Sequence, residues 1–204
     1  MPISHKYKAL FVHIPKTGGQ SVSQMLGLKQ HFNVTKGYWG AELGLVLTHL
    51  TIDHLKTRMD ISDYYVFAFV RDPYRRILSE YNWRMRNRMA FEEPTGDMMS
   101  FVDYCELLYR KWDGLMNDPD MTNVKTTNIQ HIRPQGDYVD SDVNIYHCED
   151  FNNECRKIQS ILGITGPIPK RNVGRYNTVH TPRTIEITNE LYGDDFKRFG
   201  YSLV

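Results

Sequence analysis

Cysteine is scarce in this chain: Cys105, Cys148 and Cys155 are the only three, and no Cys-x-x-Cys pair occurs. Three thiols cannot all pair, so reduced and partly buried cysteines are expected. His147, Cys148 and Glu149 stand in a row, but adjacent side chains rarely converge on one ion, so no zinc or other metal site is expected. An excess of one charge is also missing. Lys and Arg number 25 against 24 Asp and Glu, leaving a formal charge of +1. General polyanion or nucleic-acid binding is therefore not indicated, and any anion site must be built locally. No stretch reaches the ~18 apolar residues of a membrane span. The first apolar run, ALFVHI, is too short for a signal segment and leads straight into a loop. The chain starts only a few residues before this run, so no membrane anchor is expected ahead of it. A soluble, cytoplasmic protein in a bacterial or viral setting is the expectation.

What is present is the composition of a globular protein, 41% hydrophobic and 24% charged. Its length suits a single domain over 1–204. Two apolar, β-branched and aromatic runs, Tyr7 to Ile14 and Tyr64 to Val70, predict buried parallel strands. A third strand is predicted at Val143 to His147, after a turn at Gln135, Gly136 and Asp137. Between them lie predicted helices at Ser21 to Leu28, Leu50 to Met59, Tyr74 to Arg88, Met98 to Trp112, Phe151 to Leu162 and Thr184 to Tyr192. Thr48, Thr51 and Asp53 compete to cap the second helix. Asp72 and Pro73 suit the start of the third. Gly114 to Thr127 and Gly163 to Thr181 read as loops. Strands alternating with helices predict an α/β fold with a central parallel sheet flanked by helices.

The first strand feeds His13-Ile-Pro-Lys-Thr-Gly-Gly-Gln-Ser21 and then a helix. Glycines let backbone approach a ligand, and the first amides of a helix point toward negative oxygens. Lys16 adds a mobile charge; Thr17, Gln20 and Ser21 add donors. The triphosphate-binding loop requires its lysine after the glycines. Here the lysine precedes them, and no G-x-G-x-x-G is present. The second strand ends on Arg71, at the strand edge where open α/β sheets take ligands. Arg71 offers a planar fork for a phosphate, and Ser79 follows about two helical turns later. Two anion motifs at two strand ends suggest one ligand with two anionic groups.

HIPKTGGQS resembles the 5'-phosphosulfate loop of sulfotransferases that use 3'-phosphoadenosine 5'-phosphosulfate (PAPS), above all the carbohydrate enzymes such as the heparan sulfate 6-O- and 2-O-sulfotransferases. FVRDPYRRILSEY resembles their 3'-phosphate motif. Weaker similarity runs through IRPQGDYV, IYHCEDF, KRNVGRYN and the C-terminal segment. The resemblance implies a P-loop-like sulfotransferase fold and PAPS as donor, with adenosine 3',5'-bisphosphate (PAP) as product. It gives Pro15, Lys16, Thr17, Gly18, Gly19, Gln20 and Ser21 to the phosphosulfate and Arg71 and Ser79 to the 3'-phosphate. Arg171 and Arg175 lie in a loop that could close over the nucleotide. Lys16 matches the lysine that stabilises the leaving oxygen. His49, in VLTHLTIDHL, matches the family's histidine base, with His54 and Glu42 as further candidates. His13 reads as a packed histidine and His131 as a weaker acceptor-site residue.

The implied reaction is in-line transfer to a hydroxyl, of a carbohydrate by preference or of a tyrosine or small molecule. Tyr38, Trp39, Trp83 and Trp112 could offer stacking faces for such an acceptor, but core or surface packing is the expectation for each. Arg75, Arg76, Arg84, Arg86 and Arg88 form either a basic stripe or a solvated helix face. The rival readings are an ATP- and magnesium-dependent kinase or hydrolase, and an inactive nucleotide-binding protein.

Overall fold

The computed structural model describes residues 3–28, 39–40, 45–46, 49–87, 99–117, 127–169 and 178–204. In chain order the elements are β1 (Ile3–Ser4), β2 (Ala9–Val12), α1 (Gly19–Met25), β3 (Trp39–Gly40), β4 (Leu45–Val46), α2 (Ile52–Lys56), β5 (Tyr65–Val70), α3 (Pro73–Asn87), α4 (Phe101–Met116), α5 (Thr127–Ile132), β6 (Asn144–His147), α6 (Phe151–Leu162) and α7 (Pro182–Phe199). Short 3-10 turns cover Gln135–Tyr138 and Cys148–Asp150. The chain divides into two compact units, residues 1–71 with 135–173, and residues 72–134 with 174–204.

The first unit holds a four-stranded sheet in the order β1-β2-β5-β6. β2 and β5 run parallel from Ala9↔Tyr65 to Val12↔Ala68, and β5 and β6 from Phe67↔Asn144 to Val70↔His147. Every residue of β2 and the last five of β5 are buried, because both faces of a parallel sheet are covered. On one face Phe11, Phe67 and Phe69 pack with Val22 and Met25 of α1 and Ile158 of α6. The α/β fold with a mostly parallel sheet expected from the sequence is present. The antiparallel edge strand β1 was not foreseen: two residues are too few to show a period. β2 is shorter than its apolar run, ending before Pro15, and α1 starts two residues before the expected Ser21 and ends three before Leu28. α6 has the bounds expected and ends on Gly163 at φ 63°. α2 is half the expected length. Its cap is Thr51, whose hydroxyl accepts from the His54 amide at 3.4 Å; Thr48 lies outside the described residues.

The second unit is helical, with Ile77, Tyr104, Leu108, Ile187 and Phe196 in its core. Asp72 accepts from the Arg75 amide at 3.1 Å and starts α3 as expected. α4 begins on its Ser100 cap and continues past Gly114, which the sequence reading assigned to a loop. α5 was not foreseen, because six residues carry too little pattern. α7 opens with a Thr181–Thr184 capping box and Pro182 in its first turn. Its expected end at Tyr192 is a kink instead (φ −123°, ψ 21°), and the helix resumes because Phe196 packs into the same core and Phe199 is also buried. The Tyr192 hydroxyl donates to the Ile132 carbonyl at 2.7 Å.

Two arginines of the proposed basic stripe are interior. Arg84 and Glu80 pair at 2.7 Å with both side chains almost fully buried, and Glu80 also holds His131 Nδ1 at 2.9 Å. Arg76 donates to the carbonyls of His131 and Arg133 at 3.2 and 2.8 Å. Removing one member of such a buried set would strand a charge, at a cost of about 3–5 kcal/mol. Arg75 and Arg86 remain exposed; Arg88 lies outside the described residues. Trp83 packs on His131 and Trp112 on Tyr192, with centroids 4.6 and 5.3 Å apart. Tyr38 and the side chain of Trp39 lie outside the described residues. Among the described residues no helix is long and apolar enough to cross a membrane.

Candidate active site

The site begins where β2 ends. After Val12 the chain passes through His13, Ile14 and Pro15 to Lys16, which sits in the left-handed region at φ 71°. That conformation crowds the Cβ of an L-residue and costs roughly 1–2 kcal/mol. The turn is locked from inside. Thr17, fully buried, donates its hydroxyl to the Ile14 carbonyl at 2.8 Å. Gly18, at φ 86°, then accepts the Ser21 and Val22 amides at 2.9 and 3.3 Å and starts α1. Ser23, which the sequence reading passed over, donates to the Gly19 carbonyl at 2.8 Å.

Both glycines are required by close neighbours. A Cβ on Gly18 would come within 2.7 Å of the Phe151 ring, and one on Gly19 within 1.8 Å of His13 Nε2. Gly19→Ala should therefore displace the His13 ring and destabilise the fold by about 1–3 kcal/mol, the usual range for overpacking a tight interior. Equilibrium urea unfolding measures this. An unchanged midpoint would show that the His13 ring has room to move.

His13 is packed, as expected: its ring stacks on Phe11 with centroids 5.4 Å apart. It also lies 4.5 Å from the ring of His49. His49 is buried and, like Lys16, left-handed, at φ 59°. Its Nδ1 lies 2.8 Å from the His13 carbonyl. A carbonyl only accepts, so Nδ1 carries the proton and Nε2 is the basic nitrogen. His54 bonds Thr51 Oγ1 through its own Nδ1 at 2.7 Å, at the start of α2. Glu42 lies outside the described residues.

Arg71 follows the last residue of β5. Its amide donates to Gln135 Oε1, and Gln135 Nε2 donates to its carbonyl, both at 2.8 Å. Its guanidinium reaches across and donates to the Lys16 carbonyl at 3.2 Å. The two strand-end motifs, 55 residues apart in sequence, thus meet. Beside them burial pushes the Cys148 thiol up to about 12, with the Arg71 charge pulling the other way, so the thiol stays neutral. Ser79 is buried on α3 in the second unit. Lys170, Arg171 and Arg175 lie outside the described residues. Gln135 was read from sequence only as a turn residue; nothing local distinguishes it from any glutamine after a proline.

The chemistry assembled in the first unit is a lysine and an arginine at adjoining turns, a two-glycine turn packed on Phe151 and His13, and a buried histidine whose Nδ1 is bound to the His13 carbonyl. No curated protein and no solved structure matches the chain. A family model described as the sulfotransferase family matches residues 1–202, spanning both units. With this match over nearly its whole length, the chain belongs to the sulfotransferase family.

Proposed function

We propose that the protein transfers a sulfuryl group from PAPS to an acceptor hydroxyl, with a carbohydrate as the favoured acceptor, and that residues 1–204 act as one sulfotransferase domain in the cytoplasm. One observation carries the reading. Of the three non-glycine residues at positive φ among the described residues, Lys8, Lys16 and His49, two are the lysine and histidine that the chemistry needs. Backbone strain of this kind persists where surrounding structure enforces it, and it gathers at functional sites. Both strained residues are tied by hydrogen bonds at one strand end, His49 to the His13 carbonyl and Lys16 by its own carbonyl to Arg71.

The donor supplies an activated sulfuryl group on a phosphate, together with a second phosphate on its ribose. The resemblance gives the turn through Gly18 and Gly19 to the phosphosulfate, and Lys16 provides the cation for the oxygen that gains charge on transfer. Arg71 serves the second phosphate with the donors its Lys16 contact leaves over. The resemblance adds Pro15, Thr17, Gln20, Ser21, Ser79, Arg171 and Arg175 as further donor contacts. Nε2 of His49 accepts the acceptor's proton, and the Nδ1 bond holds the ring in the tautomer that permits it.

A kinase or hydrolase would require its lysine after the glycines, which is the reverse of this loop. The test is a thermal-shift comparison followed by a transfer assay. PAP should raise the melting temperature and ATP with magnesium should not. Labelled sulfate should then pass from PAPS to members of an acceptor panel. Stabilisation by ATP and magnesium alone would overturn the reading in favour of the kinase; PAP binding without transfer to any acceptor would favour the inactive binder.

A further inference from the structure

We infer that Gln135 is a positioning residue for donor binding, acting through Arg71; this rests on the donor reading of Arg71 given above. The β2 ladder with β5 ends at Ala68 and the β6 ladder at Val70. Arg71 is the first residue past both, so its amide and carbonyl have no strand to pair with. Gln135 supplies that pairing. Its carboxamide places an acceptor oxygen and an NH2 group at about the spacing of a peptide group, and each makes one bond to Arg71 at 2.8 Å. The side chain is fully buried, so water does not compete for either bond. A glutamate at this position would accept from the amide but could not donate to the carbonyl.

The consequence reaches the anion loop. With its backbone clamped, Arg71 projects a guanidinium onto the Lys16 carbonyl at 3.2 Å. That carbonyl belongs to the residue held at φ 71°. A single carboxamide therefore sets the position of the arginine, and the arginine braces the turn that carries the lysine. Loss of the clamp frees the end of β5 and loosens both anion-binding groups together. Displacements of about 1 Å in such groups cost on the order of 10²-fold in function.

The experiment is calorimetric titration of PAP into the full chain and three variants, with a double-mutant cycle. Gln135→Met keeps the length and loses both bonds; it should weaken PAP about tenfold or more. Gln135→Glu should weaken it further, because a carboxylate faces the Arg71 carbonyl and competes for the guanidinium. Arg71→Met should weaken PAP by itself, and adding Gln135→Met to it should change the affinity by less than about twofold. A purely structural role for Gln135 would instead give the same loss in both backgrounds, and that result, or an unchanged affinity in both Gln135 variants, overturns the inference while leaving the donor reading intact. If Arg71→Met binds PAP as tightly as the parent, the donor reading of Arg71 itself fails, and this inference falls with it.

Discussion

Lys16→Gly is expected to slow sulfuryl transfer by roughly 10²–10³-fold, the range for losing one group aimed at developing charge, while the fold becomes no less stable. The two effects have separate causes. Lys16 occupies φ 71°, where an L-residue is crowded and glycine is not. Glycine relieves that strain and gives back part of the gain through the extra freedom of its unfolded chain. The bond from Arg71 goes to the carbonyl of residue 16, so it survives the substitution. What disappears is the ammonium. Denaturant unfolding and a labelled-sulfate assay, run on the same preparation, measure the two effects. A variant with full turnover would remove the lysine from the reaction. A strongly destabilised variant would show instead that its side chain holds the turn.

His49→Asn should lower the transfer rate by about 10²–10⁴-fold and leave PAP affinity within twofold. Asparagine is the informative replacement. It tolerates positive φ better than other non-glycine residues, which suits the backbone at φ 59°. Its side-chain amide can donate to the His13 carbonyl, as Nδ1 of the imidazole does at 2.8 Å. The basic nitrogen is then the function removed. His49→Ala would combine loss of the base with a missing bond to His13. Turnover near the parent level in the asparagine variant would exclude His49 as base and return attention to His54.

Much of the first unit was legible because its signals are local. The runs around Phe11 and Phe67 are apolar on both faces, which only a covered parallel strand satisfies. Asp72-Pro73, where the second unit begins, and Gly163 likewise mark helix ends through their own backbone chemistry. The loop from Pro15 to Gly19 was readable for the same reason. The misses share a different origin. Arg76 and Arg84 looked solvated because charge is normally exposed, and their burial depends on Glu80 and on carbonyls more than 45 residues away. The kinked continuation of α7 beyond Tyr192 is set by burial of Phe196 and Phe199, against a local break in the helix. Gln135 is the sharpest case. Its carboxamide gains meaning only from the end of β5, 64 residues away.

The sequence by itself determined the parallel strands β2, β5 and β6, the Asp72-Pro73 start of α3 and the glycine turn that bears Lys16, since each depends on the conformational preferences of a few neighbouring residues. Only the tertiary structure decided which polar groups face one another: His49 on the His13 carbonyl, Arg71 between Gln135 and Lys16, and Glu80 between Arg84 and His131. The reason is physical. A buried donor or acceptor must find a partner, but its own chemistry does not say where in the chain that partner lies, and burial is known only once distant elements have packed.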